Sequence, residues 1–458
     1  MKPLLLLLAV LLAAPLAQAQ WSFAGNFPDD TNPVSDNNHG LAVDGAGHIW
    51  VQSYYPRSAD SVAVNPAIVA NSSAANCSQR TNNCRVTALH VYNPDGSEVS
   101  FSPLSVVTLP GGVQDTLGGS AILNGSGVRV WDYNTGRGLT TGPDGNVYAS
   151  IGSATVVYKF NQTNGAVMDF VRTSVLDARG GTAPSIDDNG NMFITGVFPG
   201  DPIAIYNADL DFVENVVAAD RGFNRTMLAL PNGNTAFALN YSADVATIYS
   251  RQDEFSPWDS TGFAFQGMSV ESATIHPTTG QIWVSAGSPN DPPSGRYQPH
   301  TWYAFDTADV LSNPTPTPRD SIVWNNPADG RPRAIAFSPD GLTAYVGEFS
   351  LGAPAVQKFT FMGNAVEPVI AGVAELRQNR PNPFSGATDI AFSLEVPAQA
   401  RLRVMDLTGR EVAVLVDGPL GVGEHTATFQ ADGLAAGVYV YVLEVDGRSI
   451  SRRMLHIR

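Results

Sequence analysis

Three arginines, one glutamate, one histidine and one threonine recur at equivalent places in this sequence. His39, Arg137, Thr182, Arg225 and Arg333 each lie eight positions before a glycine that ends a polar turn: Gly47, Gly145, Gly190, Gly233 and Gly341. Glu271 lies nine before Gly280, because the turn "HPTTG" is longer. Each is followed by a small residue: Gly40, Gly138, Ala183, Thr226, Ser272 and Ala334. A small residue is what a crowded common axis would tolerate, so the preceding six side chains are expected around one mouth of a central channel. Two like charges about 7 Å apart repel by roughly 2 kcal/mol at an effective dielectric of about 20. Glu271 can offset one neighbour. The other arginines call either for acidic loop residues such as Asp36, Asp177 and Asp220, or for a small anionic or carboxylated ligand held by charge-assisted hydrogen bonds.

Other constellations are weaker. The seven histidines (His39, His48, His90, His276, His300, His425 and His456) show no H-E-x-x-H or other paired metal spacing and are expected mostly in turns or at the surface. No G-x-S-x-G elbow occurs, and "LGGSAI" around Ser120 reads as loop. "YNADLDF" sets Asn207, Asp209 and Asp211 at alternating positions but lacks the later Gly and Glu of a calcium loop. No cofactor is expected; a surface calcium at this turn or at "DDNG" (187–190) is the one exception. No catalytic residue is assigned.

The elements that must position these residues are hairpins. "GLAVDGAGHIWV", "GLTTGPDGNVYAS", "APSIDDNGNMFIT", "TMLALPNGNTAFA", "SATIHPTTGQIWV" and "AIAFSPDGLTAYV" each read as strand, glycine turn and strand, and each is followed by a second hairpin. The turn glycines are spaced 98, 45, 43, 47 and 61 residues apart, and apart from the first and last these intervals match the roughly 40–50 residues of a propeller blade. The expected fold is all-β: a six-bladed β-propeller, with a seventh blade around "SGVRVWDY" as the alternative. The long first interval is an insertion, in which Cys77 and Cys84 flank "CSQRTNNC" and are expected to form a disulfide. "NPTPTPRD" (313–320) reads as a rigid excursion on the rim.

Composition narrows the class. Charged residues are 15% of the 458, while Gly (43) and Pro (32) are abundant, which favours strands and turns over charged helices. A net charge of −16 with lysine only at positions 2, 159 and 358 argues against nucleic acid as a partner. "MKPLLLLLAVLLAAPLAQAQ" has the layout of a signal peptide, expected over 1–19. Its apolar run is shorter than a membrane span and holds Pro15, so no transmembrane helix is expected in the mature chain.

The repeats resemble the NHL and YVTN propeller families, whose inner strands read like "GIAVDPDGNIYVA". Some six-bladed relatives are calcium-dependent lactonases or lyases that use carboxylates, Asn or His near the axis; here those positions are mostly Arg or Thr. The resemblance implies the fold, and the leading expectation is a non-catalytic binding or scaffold protein. A hydrolase or lyase acting on a sugar, lactone or peptide at the mouth is the alternative.

A second fold follows the repeats. "NRPNPFSGATDIAFSL", the alternating "ARLRVMDLTGREVAVLV", "HTATF" and "GVYVYVLEVDGRSISRRMLHI" give about seven short strands, the pattern of a small immunoglobulin-like sandwich. These elements, in order, are similar to the type A C-terminal sorting domain of the type IX secretion system of Bacteroidetes-like bacteria. That resemblance implies export to the cell surface or medium. It also implies two partners for residues 374–458, the translocon and a sortase-like peptidase. The expected organisation is a signal peptide (1–19), a propeller (20–361), a linker (362–373) and the sorting domain (374–458). Arg452, Arg453 and Arg458 read either as translocon contacts or as edge-strand charges. Deleting residues 374–458 is expected to leave the propeller in the periplasm, which cell fractionation with surface immunolabelling would check; undiminished surface display would contradict it.

Overall fold

The structure is a computed structural model. It describes residues 21–28, 37–57, 59–133, 135–152, 156–172, 181–220, 222–240, 245–286, 297–325, 331–349, 356–361, 369–370, 374–382, 384–405, 411–434, 437–445 and 448–456. The signal-peptide stretch, and the turns within "DLTGRE" and at Asp446-Gly447, lie outside them. The described residues are all-β apart from two short helices, Pro66–Val69 and Thr307–Ser312. The chain divides into two compact units, Met1–Phe361 and Met362–Arg458.

In the first unit, six antiparallel sheets follow one another, and each begins with the first strand of one repeat hairpin. These first strands are Asn38–Val43, Gly136–Thr141, Ser185–Ile186, Asn224–Ala229, Ala273–Ile275 and Arg331–Phe337, heading sheets 1 to 6. All six turn glycines have φ between 67° and 90°, a region that glycine enters without strain. The last sheet is completed from the start of the chain: Trp21–Asn26 pairs with Val356–Phe361, Trp21 opposite Phe361 and Asn26 opposite Gln357.

Each sheet shares an apolar core with the next. Trp50 of sheet 1 packs in one cluster with Phe160 of sheet 2, Tyr148 of sheet 2 with Ile194 of sheet 3, and Phe193 of sheet 3 with Met227 of sheet 4. Phe237 of sheet 4 then joins Phe305 of sheet 5, Trp283 of sheet 5 joins Phe337 of sheet 6, and Tyr345 of sheet 6 joins Val51 of sheet 1. Sheets stacked face to face in such a cycle form a β-propeller. Each buried large apolar side chain contributes about 1.5–3 kcal/mol.

The axis is as tight as the small residues predict. A Cβ at Gly40 would stand 2.9 Å from the Leu139 nitrogen, and one at Gly138 would run into the Ala183 side chain.

Sheet 1 departs from the expected four strands, since only Asn38–Val43, Ile49–Ser53 and Leu89–Tyr92 pair fully. Beyond Tyr92 the second hairpin makes single bridges, Tyr92 to Glu98 and Leu89 to Leu104. A side chain intervenes there: the Val91 N–H donates to Ser102 Oγ at 2.9 Å, and Pro103 next to it has no N–H to give. The insertion folds on a small sheet of its own, in which Cys77 and Cys84 are disulfide-bonded. "SGVRVWDY" falls on the hairpin Gly119–Leu123 with Arg129–Tyr133, which pairs with no other strand among the described residues.

The second unit has two four-stranded sheets. One joins Val369–Ile370, Ala374–Leu376, Ala387–Leu394 and Gly423–Gln430; the other joins Glu411–Leu420, Ala398–Met405, Gly437–Val445 and Arg448–His456. Their inward residues, including Ile390, Phe392, Leu402, Tyr441 and Leu443, form a single core. Eight strands thus stand where about seven were expected, the extra one, Val369–Ile370, lying within the stretch read as linker.

Candidate functional site

At the leading end of four inner strands the chain carries one residue more than its neighbour. The register steps from Asn38 opposite Ser53 to Gly40 opposite Gln52, from Gly136–Ile151 to Gly138–Ser150, from Asn224–Asn240 to Thr226–Leu239, and from Pro332–Glu348 to Ala334–Gly347. The residues passed over are His39, Arg137, Arg225 and Arg333. A β-bulge of this kind re-aims the extra side chain out of the sheet's alternation, and here it turns four side chains toward the axis. Together with Glu271 they line one cavity of ≈ 590 Å³ walled by the inner strands of all six sheets.

The charges are paired unevenly. The Glu271 carboxylate is fully buried and takes both Arg225, whose Nε lies 3.3 Å from Oε2, and Arg333, whose Nη1 meets the same oxygen. Arg137 has no carboxylate within ion-pairing distance among the described residues, and its Nε makes no hydrogen bond there. Each guanidinium also lies over an aromatic ring: Arg137 over Tyr54 at 5.1 Å, Arg333 over Phe349 at 5.2 Å and Arg225 over Phe223 at 5.5 Å. Such contacts are worth about 0.5–2 kcal/mol each.

His39 is buried beside them, and neither ring nitrogen has a well-formed hydrogen bond with a described residue. Burial, then the charges of Arg333, Arg137 and Arg225, push its pKa well below 6.5, against a smaller opposing pull from the Arg137 backbone. The imidazole is therefore neutral at pH 7, and among the described residues here three arginines face the single carboxylate of Glu271.

The structure thus brings together five of the six residues that the sequence singles out. Thr182 is the departure. Its backbone N–H donates to the Thr195 carbonyl at 2.9 Å and its hydroxyl faces the Thr195 N–H at 3.5 Å, so Ala183 and Pro184 form the cavity wall there. Of the acidic loop residues considered as partners for the arginines, Asp220 is the one described, and it is engaged elsewhere. It accepts from Tyr249 Oη, Asn224 Nδ2 and the Gly222 N–H, and Asp36 and Asp177 lie outside the described residues. Nor are the histidines mainly superficial: His39, His90, His276 and His456 are all buried. His90 lies between Asp60 and Glu98, 3.0 Å from each, a buried polar ring satisfied by charged neighbours. At the turns considered for calcium, side chains close on backbone: Asn207 Oδ1 accepts from the Asp209 and Asp211 N–H groups, and Asp187 Oδ1 from those of Asn189 and Asn191. Sequence reading missed the rings of Tyr54, Phe349 and Phe223. Their cue was topological, because an antiparallel second strand ends where the first begins, and "VQSYY" and "VGEF" put aromatics at that end.

In the second unit the "NRPNPF" stretch is held by a buried polar network. The Asn379 N–H donates to Tyr441 Oη at 2.9 Å, Tyr441 Oη donates to the Arg377 carbonyl, and Asn379 Nδ2 donates to the Pro381 carbonyl and Thr388 Oγ1. Arg452 Nε donates to the Leu376 carbonyl at 2.8 Å, which gives this arginine a role inside the fold. Phe384 is buried against Phe429 and His456. Residues 380–457 match the family described as "Secretion system C-terminal sorting domain".

The tail is a type IX secretion sorting domain. It marks the protein for type IX secretion, to the medium or the cell surface. No helix among the described residues is long and apolar enough to cross a membrane. No curated protein matches the sequence. Among solved structures, the chain is similar to PorZ, an essential bacterial surface component of the type IX secretion system of Porphyromonas gingivalis, at 13% identity and a TM-score of 0.40. That similarity covers 93% of this chain, which spans 60% of PorZ. Regucalcin, a calcium-binding protein from Agrobacterium tumefaciens strain C58, is similar over 74% of this chain and 93% of its own at 12% identity and a TM-score of 0.44. A luciferin-regenerating enzyme is similar over 72% and 93% at 10% identity and 0.42.

The buried neutral histidine gives the propeller a pH signature. An unfolded imidazole takes up a proton near 6.5, the folded one only at lower pH, so between those values the unfolded chain binds more protons. Stability is unaffected above that window and falls as pH drops through it. Denaturant unfolding at about pH 7.5 and about pH 5 is expected to show a smaller loss for His39→Gln than for the parent protein; equal losses would contradict the buried neutral state.

Proposed function

We propose that the first unit is a six-bladed propeller, made with a signal peptide and delivered outside the cell by its immunoglobulin-like sorting sandwich. Outside, it serves as a binding protein for a small anionic, carboxylate-bearing ligand held at the channel mouth. The observation that carries this reading is the imbalance there: among the described residues Glu271 engages two arginines, while Arg137 has no carboxylate partner and neither ring nitrogen of His39 has a well-formed hydrogen bond. A bound carboxylate would supply the missing acceptor, and a charge-assisted hydrogen bond of this kind contributes about 1.5–3 kcal/mol. The sorting domain's partners are the type IX translocon and a sortase-like peptidase that removes it.

His39 favours a second reading, a lyase or hydrolase at the same mouth. A neutral imidazole can accept a substrate proton, and the arginines can hold the anion that results. Calorimetry with a panel of organic and sugar acids, with product analysis of the same mixtures, tests both readings. Binding without turnover is expected, weakened about tenfold or more in Arg137→Gln and further in the Arg137→Ala, Arg333→Ala double variant. Unchanged binding in these variants would overturn the anion reading; product formation that needs His39 would favour the enzyme.

A further inference from the structure

Beside the charged residues, though not among those that wall the cavity, stands a group of aromatic rings. Tyr54 and Tyr55 follow strand Ile49–Ser53 of sheet 1, and Phe349 ends strand Thr343–Phe349 of sheet 6. The three rings meet: Tyr54 lies 4.6 Å from Tyr55 and 5.5 Å from Phe349, and Tyr55 lies 6.4 Å from Phe349. His39 is within the same group, 5.1 Å from Tyr54 and 6.4 Å from Phe349. Arg137, the guanidinium without a carboxylate, lies on the Tyr54 ring, and its charge is felt at the Tyr55 hydroxyl. Tyr55 is 44% exposed while Arg333, which lies against the Phe349 ring, is 4% exposed, so the aromatic group reaches from buried charge to solvent.

A ligand that were only a charge would use this buried charge and leave the rings wet. One carrying its charge on a ring with an apolar face would cover them too, and each aromatic contact of that kind adds about three- to tenfold in affinity. Among the described residues Arg225 and Arg333 share Glu271 and Arg137 has no carboxylate, so an acceptor placed beside Arg137 and His39 would also lie beside Tyr54, against which both pack.

Resting on the anion-binding reading above, we propose that the mouth selects a carboxylate borne on a ring with an apolar face, either an aromatic acid or a uronic acid. Its carboxylate lies against Arg137 and His39 and its ring against Tyr55 and Phe349. The neutral His39 donates its single N–H to one carboxylate oxygen, and the Arg137 fork serves the other.

Calorimetric titration of the secreted protein with acetate, benzoate, glucuronate and glucose tests this. At least one ring acid is expected to bind about tenfold or more tighter than acetate, with glucose not binding. A benzoate preference identifies an aromatic acid and a glucuronate preference a uronic acid. Tyr55→Ala, at an exposed position, is expected to bring the ratio of ring acid to acetate affinity near one, and Phe349→Leu to reduce it. Acetate binding as tightly as both ring acids would overturn the ring selectivity and leave anion binding standing. The same holds for a ratio unmoved in both variants. Failure of every carboxylate to bind would overturn both.

Discussion

The antiparallel pairing of Trp21–Asn26 with Val356–Phe361 is the contact on which the first unit depends. Each sheet can bury its two faces only against neighbours on both sides, and the shared core of sheets 6 and 1 completes that sequence. Without the first strand, Val356–Phe361 would present a bare row of N–H and C=O groups, the kind of edge that invites association. Trp21 anchors the pairing from its own side: its ring packs against Trp283, Phe337 and Phe361, and its Nε1 donates to Asp320 at 3.0 Å. The paired strands lie well over three hundred positions apart in sequence, so closing this contact carries a loop-entropy cost that grows only slowly with length.

Closure of the sheets brings like charges together at the axis. Burying an Arg–Glu–Arg group costs desolvation that its mutual attraction only partly repays, and a hydrophobic replacement of similar volume is often as stable. The aromatic rings over the guanidiniums and the bulges that aim them are local solutions to that cost. Among the described residues they leave Arg137 without a carboxylate and His39 without a well-formed hydrogen bond, which is where the functional reading begins. The wedges between sheets are largely apolar, while the arginines and Glu271 lie on the cavity wall.

Much of this was legible from the sequence, for specific reasons. A glycine with positive φ after each polar turn is a strong local signal, and all six behave as read. The small residue at the head of each inner strand is forced by close backbone approach, visible at Gly40 and Gly138. The sorting domain was legible because "NRPNPF" is tied down by backbone contacts that tolerate few substitutions, with Asn379 serving Pro381, Thr388 and Tyr441 at once. What was hidden depends on register or distance. Nothing in "NNHGL" or "TGRGL" announces a bulge, so the expectation that the six residues gather was right for five and lacked its mechanism. Thr182 fell short because its hydroxyl has a backbone partner nearby. The choice of Glu271 by two arginines, and the closing role of "WSFAGN", join residues that only the tertiary fold makes neighbours.

The second unit is built on the same economy of strands but keeps its core to itself, with Tyr441 linking the polar network of the "NRPNPF" stretch to the apolar interior. For the propeller itself the decisive measurement is native-state hydrogen exchange across the closing sheet. The account predicts that the strand-paired amides of Ser22–Asn26 exchange with the same opening free energy as those of Val356–Phe361, since the strands open together. Amides in Ser22–Asn26 exchanging like a free peptide, while Val356–Phe361 stays protected, would contradict it.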